Sequence, residues 1–361
     1  MKKILVVYGG KSLEHDISIV TALFVMEELK KNKIDFIPLY LSHNNEFFTG
    51  AKLLDKDNYE SKKEFKIAKF ECQNGQYVLK VGFKTYDIEC AILCVHGKGV
   101  EDGTVRALFD FMNIPVSTSS LLSSAIMQDK EISKLLFQNK NIPVVDSFVV
   151  HNLANISVKE GFSFPLIIKP CNLGSSIGVK KVNNMKEYEN HIRKVLQYDQ
   201  KVLVEKCVEN LKELNVAIIG DSNNHIISDI ELVNNRSEVL TFKDKYELFK
   251  AKTSGHVINP SLNKDLINKI KHYAELAFET LNGKGVIRFD FLYDNKRDLL
   301  YLNEVNSIPG SLAYYLFEKK GLTMLDIINK LRAIAYKDSL EQKSLINVYT
   351  LSSLKAITRK K

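Results

Sequence analysis

The chain has 361 residues, too many for one small core, and its 45% hydrophobic and 26% charged residues are ordinary for a soluble globular protein of two or three domains. The net charge of +8 comes from scattered residues and one short basic run at 358–361, so no nucleic-acid-binding stripe is predicted, and the excess suits a pocket for an anionic nucleotide. Five cysteines without a paired framework indicate a reducing cytoplasm, and no apolar run approaches the ~20 residues of a membrane span.

The first elements predict the opening of a doubly wound α/β domain. Residues 3–8 form an apolar strand too short for a signal peptide, and a glycine turn, a helix at 18–31 and a strand at 36–41 follow. Glu14 lies where the turn meets the helix. A carboxylate there either is stabilised by the helix dipole or projects into a cleft at the ends of the strands, and the sequence leaves both open.

A second glycine-rich loop follows a predicted buried strand at 90–95. The loop HGKGVEDGT carries His96 and Glu101 among three glycines, which allow close approach to a ligand. The alternative is a plain tight turn before a helix at 105–112. A short strand at 114–116 marks a domain boundary.

Residues 117–182 predict a phosphate-binding loop between two strands. A helix is expected at 123–139, an extended segment at 142–150, and strands at 166–169 and 177–182. The intervening loop contains Gly174, Ser175 and Ser176, whose backbone N–H groups can surround a phosphate. It joins strand to strand, so it is not a Walker loop, which opens a helix. Lys169 ends an apolar strand and therefore needs an anionic partner.

The next segment predicts a helix at 188–196 and strands at 201–207 and 213–219. Glu205 near the end of the first strand either accepts from a base or ribose or pairs with a lysine. The irregular charged segment 233–256, with Lys245 and Tyr246, is predicted to be a lid. An amphipathic helix, capped at 260–261, and a closing helix at 322–336 complete the chain.

A hairpin at 286–305 predicts a metal site. Side chains alternate faces along a strand, so Arg288 and Asp290 share one face, as do Glu304 and Asn306. Pairing about the turn at 294–298 places Asp290 opposite Glu304. Two carboxylates and an amide oxygen suit Mg²⁺ held together with substrate phosphates. The alternative is a solvated hairpin face, which the neighbouring apolar residues disfavour.

Seven segments occur together in the order seen in one enzyme family: GGKSLEHDIS, HGKGVEDG, KPCNLGSSIGV, VEKCV, FKDKY, RFDF and NEVNSIPGS. From residue 4 to about 335 the chain thus resembles the D-alanine:D-alanine ligase family of ATP-grasp enzymes. The resemblance implies an α/β (α+β) ATP-grasp fold with an N-terminal α/β domain (1–116), a central domain (117–208), a C-terminal domain (209–340) and a tail (341–361). It also implies that ATP lies between the last two domains and that two D-alanines are joined through an acyl phosphate for peptidoglycan synthesis. ATP, two Mg²⁺ or Mn²⁺ ions and a homodimer come with it.

The resemblance also implies residue roles. The ATP-binding residues are Lys130, Lys169, Ser175, Ser176, Glu205, Lys206, Val208, Glu213, Lys245 and Asn303. The D-alanine-binding and reaction-centre residues are Glu14, Ser175, Tyr246, Arg288 and Gly310. The metal ligands are Asp290, Glu304 and Asn306.

Three positions depart from the family pattern: Val100 replaces a glycine, Arg106 a glutamine, and Tyr315 a serine that binds the second substrate's carboxylate. Tyr315 raises the alternative of D-lactate or D-serine as second substrate, whereas the retained Lys245-Tyr246 pair favours the dipeptide. From another class, the net charge raises a non-catalytic nucleotide sensor or a nucleic-acid-binding protein. The complete set of Lys169, Asp290, Glu304 and Asn306 argues against that reading.

Overall fold

The computed structural model describes residues 2–59, 65–233 and 256–345. The predicted lid, including Lys245 and Tyr246, lies outside these residues apart from its end residues, 233 and 256. Most of the predicted tail, residues 346–361, lies outside them as well. Among the described helices, none is both long and apolar enough to cross a membrane.

The first sheet has seven strands in the order β6-β5-β4-β3-β2-β1-β7. Its elements are β1 (Lys3–Gly9), α1 (His15–Lys31), β2 (Phe36–Leu41), β3 (Phe47–Thr49), β4 (Lys66–Gln73), β5 (Gln76–Val81), β6 (Lys84–Tyr86), β7 (Ile88–Leu93) and α2 (Thr104–Phe111). Because β1 pairs in parallel with both β2 and β7, the order reverses there. The two glycine-rich loops follow the carboxyl ends of β1 and β7, where open α/β sheets bind ligands.

The second sheet has four strands in the order β10-β9-β11-β8. Its segment contains α3 (Leu121–Gln128), α4 (Lys130–Asn139), β8 (Ser147–Val150), β9 (Leu166–Pro170), β10 (Lys180–Val182), α5 (Met185–Val195) and β11 (Val202–Lys206). The predicted strand at 177–182 is too long, because Ile177 and Val179 donate to carbonyls within the preceding loop, at 3.0 and 3.3 Å.

The helix predicted at 123–139 is two helices. Asp129 has extended backbone angles, and its Oδ1 accepts from the N–H groups of Glu131 and Ile132 at 3.1 and 3.2 Å. A capping aspartate satisfies N–H groups that a new helix start leaves open, so α4 begins afresh at Lys130. The break matters because it places Lys130 at the tip of a helix.

The third sheet has the order β15-β14-β12-β16-β17, with β13 paired to β12. Its segment contains β12 (Leu211–Asp221), β13 (Asn224–Ile227), β14 (Glu231–Val233), β15 (His256–Ile258), α6 (Lys264–Thr280), β16 (Gly285–Asp294), β17 (Leu299–Asn306) and α7 (Met324–Lys343). The predicted cap of α6 at 260–261 is wrong, because Asn263 accepts from the Leu266 N–H at 2.6 Å. The predicted hairpin pairing is confirmed, with Asp290 opposite Glu304.

Three clusters of buried side chains hold these sheets together. The first sheet packs against α1 and also against the last helix, through residues such as Ile327 and Leu331. The third sheet packs against α6 and against Phe137 of α4, while the second packs against α5. The chain therefore returns from its third sheet to its first, and the exact domain boundaries stay a prediction.

Candidate active site

The four hairpin side chains meet on one face. Arg288 donates to both carboxylate oxygens of Asp290, each at 2.7 Å, and Asn306 Nδ2 donates to Asp290 Oδ2 at 3.0 Å. Lys130 Nζ lies 3.4 Å from Glu304 Oε2. The side chains of Asp290 and Glu304 are only 14% and 19% exposed, which contradicts a solvated hairpin face.

A buried group of charges lies on the neighbouring strands β9 and β11. Glu205 forms ion pairs with Lys134 at 2.6 Å and with Lys169 at 2.7 Å, and Lys169 also donates to Asn303 Oδ1 at 2.9 Å. Burial alone would raise the pKa of Glu205, but the two ammonium groups hold it below its usual value. Sequence reasoning missed Lys134; its spacing of four residues from Lys130 on a helix was the available signal.

The loop at 172–176 is fixed from several directions. Ser175 and Ser176 have positive φ angles of 51° and 56°, and such successive residues turn their N–H groups toward one point. Asn172 N–H donates to Asp199 at 2.7 Å, and Lys98 from the HGKGVEDGT loop reaches the same carboxylate at 3.1 Å. Lys130 Nζ donates to Leu173 O at 2.7 Å. These contacts hold the loop in place, and the backbone N–H groups of its two positive-φ serines can be offered to an anion.

Glu14 lies against this loop. It makes no side-chain capping bond to α1; instead Ser175 Oγ donates to Glu14 Oε2 in a short hydrogen bond. A Cβ on Gly97, which has φ +86°, would lie 2.9 Å from Glu14 Oε1, and one on Gly174 would lie 3.0 Å from it. Of the two alternatives for Glu14, the structure therefore supports the carboxylate in a cleft.

Glu101 and His96 connect the first sheet to the turn after β17. Glu101 accepts from Gly97 N at 2.9 Å, Ile308 N at 3.1 Å and Ser307 Oγ at 3.2 Å. Burial and the Glu14 carboxylate raise the pKa of Glu101 to about 7. His96 Nε2 lies 2.9 Å from Thr21 Oγ1, which accepts from the backbone N–H at position 311 at 3.1 Å.

These contacts fix the turn that Gly310 opens. Residues 311–313 have φ of 47–51°, a strained region for residues other than glycine, and they are buried. The turn after Gly310 is thus held in shape by tertiary contacts from the first sheet. The HGKGVEDGT loop is consequently more than a tight turn before α2.

Tyr315 lies at the edge of the same region. Its hydroxyl donates to Glu231 Oε2 at 3.2 Å, and Asn215 Nδ2 donates to that oxygen at 3.0 Å. His256 Nδ1 lies 2.5 Å from the other oxygen of Glu231. Because a phenol has one proton, the Tyr315 hydroxyl bonded to Glu231 has none left for a substrate carboxylate.

The remaining predicted residues are distributed around β11 and β12. Lys206 pairs with Asp146 at 2.8 Å and is half exposed, so its side chain points away from Glu205. Val208 lies between the two strands, and Glu213 lies on β12. Two of the residues that depart from the family pattern are buried. Val100 packs closely on Gly10, and Arg106 forms an ion pair with Asp338. Lys245 and Tyr246 lie outside the described residues.

Comparisons with known proteins cover nearly the whole chain. The family model described as D-ala D-ala ligase N-terminus matches residues 3–119, and that described as D-ala D-ala ligase C-terminus matches residues 136–332. A D-alanine--D-alanine ligase of Thermosipho melanesiensis is 38% identical over 339 residues, covering 92% of this chain and 92% of that protein.

Solved structures give the same fold. The VanG D-Ala:D-Ser ligase from Enterococcus faecalis has a TM-score of 0.79 at 25% identity, covering 92% of this chain and 99% of its own. The D-alanine-D-alanine ligase from Coxiella burnetii has a TM-score of 0.82 at 22% identity, covering 98% and 99%. At that lower identity the likeness concerns the fold alone.

Proposed function

The chain belongs to the D-alanine–D-alanine ligase family, and from this premise we propose how its residues carry out the reaction. It is an ATP-dependent ligase that joins two D-alanines into D-alanyl-D-alanine for cell-wall precursor synthesis. The observation that carries the residue assignment is the convergence of Glu14, the 172–176 loop and the hairpin carboxylates on one cleft.

ATP fits the buried charges between β9, β11 and β17. Lys134, Lys169 and Glu205 sum to one net positive charge in a site where each side chain is at most 6% exposed. A buried excess charge is costly unless an anion arrives, and a nucleotide triphosphate is such an anion. Lys169 and Lys130 hold the phosphates with Ser175, Ser176 and Lys245. Glu205, Lys206, Val208, Glu213 and Asn303 form the base and ribose end.

The hairpin suits a divalent metal. Asp290, Glu304 and Asn306 offer the hard oxygen ligands that Mg²⁺ or Mn²⁺ takes beside phosphate, and we assign two ions to them. The bound ions supply charge neutralisation for the triphosphate. Arg288, now paired with Asp290, stands beside these ligands. It stabilises developing negative charge on the attacked carbonyl together with the N–H of Gly310.

The first D-alanine lies between Glu14 and the turn after Gly310. Glu14, oriented by Ser175, accepts from the substrate ammonium, and its burial strengthens that contact. Phosphorylation converts the carboxylate of the first D-alanine into an acyl phosphate. The amine of the second D-alanine then attacks its carbonyl carbon, and phosphate leaves. Tyr246 completes the Glu14–Ser175 contact from the lid and excludes water from the acyl phosphate.

D-serine as the second substrate is the alternative with structural support. The Tyr315 hydroxyl donates to Glu231, so it is not available as a donor to the second substrate's carboxylate. The acceptor pocket therefore lacks the hydroxyl donor that a serine at this position would provide. The solved structure with TM-score 0.79 is itself titled a D-Ala:D-Ser ligase. D-lactate is the other candidate, and we rank D-alanine first on the close D-alanine--D-alanine ligase relatives.

We also propose a cytoplasmic homodimer. The five cysteines are unpaired, as expected in a reducing compartment. Leu108 and Phe111 on α2 and Leu121 and Leu122 at the start of the adjoining α3 are exposed, Phe111 by 76%. A cluster of exposed apolar side chains marks an interaction surface that a second copy can cover. Sedimentation of the purified protein tests the dimer.

A product assay tests the reaction. Purified protein with ATP, Mg²⁺ and D-alanine should release phosphate and form a dipeptide of the mass of D-alanyl-D-alanine, whereas L-alanine should give neither. Mixed assays of D-alanine with D-serine or D-lactate at neutral pH identify the preferred acceptor. Absence of any product with D-alanine would contradict the proposal, and a dominant mixed product would favour the alternative.

A further inference from the structure

Lys134 is a buried cation that the family-derived site residues do not include. Its side chain is 4% exposed, on α4, and its ammonium lies 2.6 Å from Glu205 Oε1 and 3.0 Å from Val145 O. Glu205 is 3% exposed, and Lys169, 6% exposed, lies 2.7 Å from its other oxygen, Oε2. One carboxylate is thus shared by two ammonium groups, one on each oxygen.

The charge count shows what Lys134 contributes. With Lys134 present, Glu205 is neutralised without Lys169, and the positive charge of Lys169 remains for another anion. Without Lys134, Glu205 and Lys169 would form a closed neutral pair. An ion pair at this depth is hard to open, because each partner would be left buried and uncompensated.

We propose that Lys134 is a positioning residue for the nucleotide: it holds and neutralises Glu205 so that Lys169 can bind phosphate. The inference rests on the proposed ATP site. Lys134 contacts neither the phosphates nor the base in this proposal, yet it strengthens binding of the phosphates more than binding of the base. The role is electrostatic and acts through Glu205, so it predicts a loss confined to phosphate-bearing ligands.

The geometry favours this role over simple packing of α4. The Lys134 ammonium makes its shortest contact to a charged group of the site, and the apolar positions of α4, such as Phe137, face another core. A lysine needed only for packing would leave its ammonium at the surface, since long side chains normally extend their charge to solvent. Here the ammonium is buried and its stem reaches inward.

The test compares Lys134→Met with Lys134→Arg and Lys140→Met, the last removing an exposed charge at the end of the same helix. Affinities for ADP and for adenosine are measured by competition calorimetry with Mg²⁺. K134M should weaken ADP binding about ten- to one-hundredfold, the value of a hydrogen bond to a charged group, and adenosine binding about twofold. K134R and K140M should stay within about twofold of wild type.

The double variant K134M/E205Q is the decisive control. Removing the carboxylate leaves Lys169 without a competing anion, so the ratio of ADP to adenosine affinity should return to that of E205Q alone. A ratio unchanged by K134M, or one that stays low in the double variant, overturns the inference. If K134M does not fold, the ratio of ADP to adenosine affinity is compared between E205Q and K134M/E205Q. Equal ratios support the inference, and a lower ratio in the double variant overturns it.

The proposed function fails separately. A wild-type protein that binds ADP but forms no dipeptide contradicts the ligase activity and leaves the nucleotide result standing. Conversely, full dipeptide synthesis with an unchanged KM for ATP in K134M contradicts only the role of Lys134.

Discussion

Several charged side chains of this cleft have little solvent exposure. The sequence indicated Lys169 because a lysine ending an apolar strand needs an anion, and the structure provides Glu205 and Asn303. It did not indicate Lys134, since a lysine on an amphipathic helix normally lies at the solvent face. The four-residue spacing from Lys130 places Lys134 on the same helix face, but whether that face is buried depends on what packs over it.

Glu304→Gln tests the metal assignment at the level of one oxygen. The change keeps size and removes one anionic ligand, so turnover should fall about a hundredfold or more while the thermal midpoint hardly moves. Steady-state kinetics over a range of Mg²⁺ concentrations, with Glu160→Gln as an exposed control, measures it. Near-wild-type rates would refute the role of Glu304.

Glu101 gives a pH prediction. Its pKa is raised from 4.5 to about 7, with burial and Glu14 as the causes, so the folded chain holds a proton that the unfolded chain releases above about pH 4.5. Stability from this group is therefore greatest at low pH and falls as pH rises between these two values, by about 1–3 kcal/mol in all. Glu101→Gln should remove most of the change of thermal midpoint with pH between these two values.

The control for Glu101 is Glu318→Gln, which removes an exposed carboxylate. Melting curves of the three proteins from pH 5 to pH 8 give the comparison. A wild-type midpoint that rises with pH in parallel with Glu101→Gln would contradict the assignment of this slope to Glu101.

Among the elements, the hairpin was predictable and the α3–α4 break was not. The short turn at 294–298 sets the pairing of β16 and β17 as far as Phe291 opposite Leu302, whereas Asp290 comes opposite Glu304 through a bulge at the next position. In contrast, the apolar periodicity continues through Asp129 and predicts one helix. The second helix start is seen only in the contacts of the Asp129 carboxylate, which accepts from Lys201 and from the N–H groups of the first turn of α4. Tertiary partners decide between a helix interior and a cap.

Asp129→Ala tests the importance of that cap. Loss of the side-chain acceptor should lower stability by about 0.5–2 kcal/mol, and the freed helix tip should move Lys130, so KM for ATP should rise. Asp129→Asn keeps the capping oxygen and should behave nearly as wild type. Thermal midpoints and ATP kinetics of both variants give the answer. Equal losses in the two variants would assign the effect to the Lys201 contact instead.

At the scale of the whole molecule, distant segments are joined by ion pairs that no local pattern predicts. Arg106 of α2 donates to Asp338 of α7 at 2.6 Å, and Lys284, just before β16, donates to the same carboxylate. Arg106 and Asp338 are 232 positions apart. The sequence showed Arg106 only as a departure from a family pattern, and the structure gives it a partner on the returning helix.

Asp338→Asn tests whether this network holds the first sheet to the returning helix. Burial alone would raise the pKa of Asp338, but Lys284 and Arg106 hold it below its usual value. Its stabilisation is thus fully present above the unfolded pKa of about 4 and is lost as pH falls through the lower folded value.

At pH 7 the Asp338→Asn variant leaves two cations facing an amide and should lose about 3 kcal/mol of stability. Glu341→Gln, which removes a half-exposed carboxylate 3.7 Å from Lys284, should lose about 1 kcal/mol or less. Melting curves from pH 3 to pH 7 should show the Asp338→Asn deficit shrinking toward acid pH, and a deficit of constant size would assign it to packing of α7.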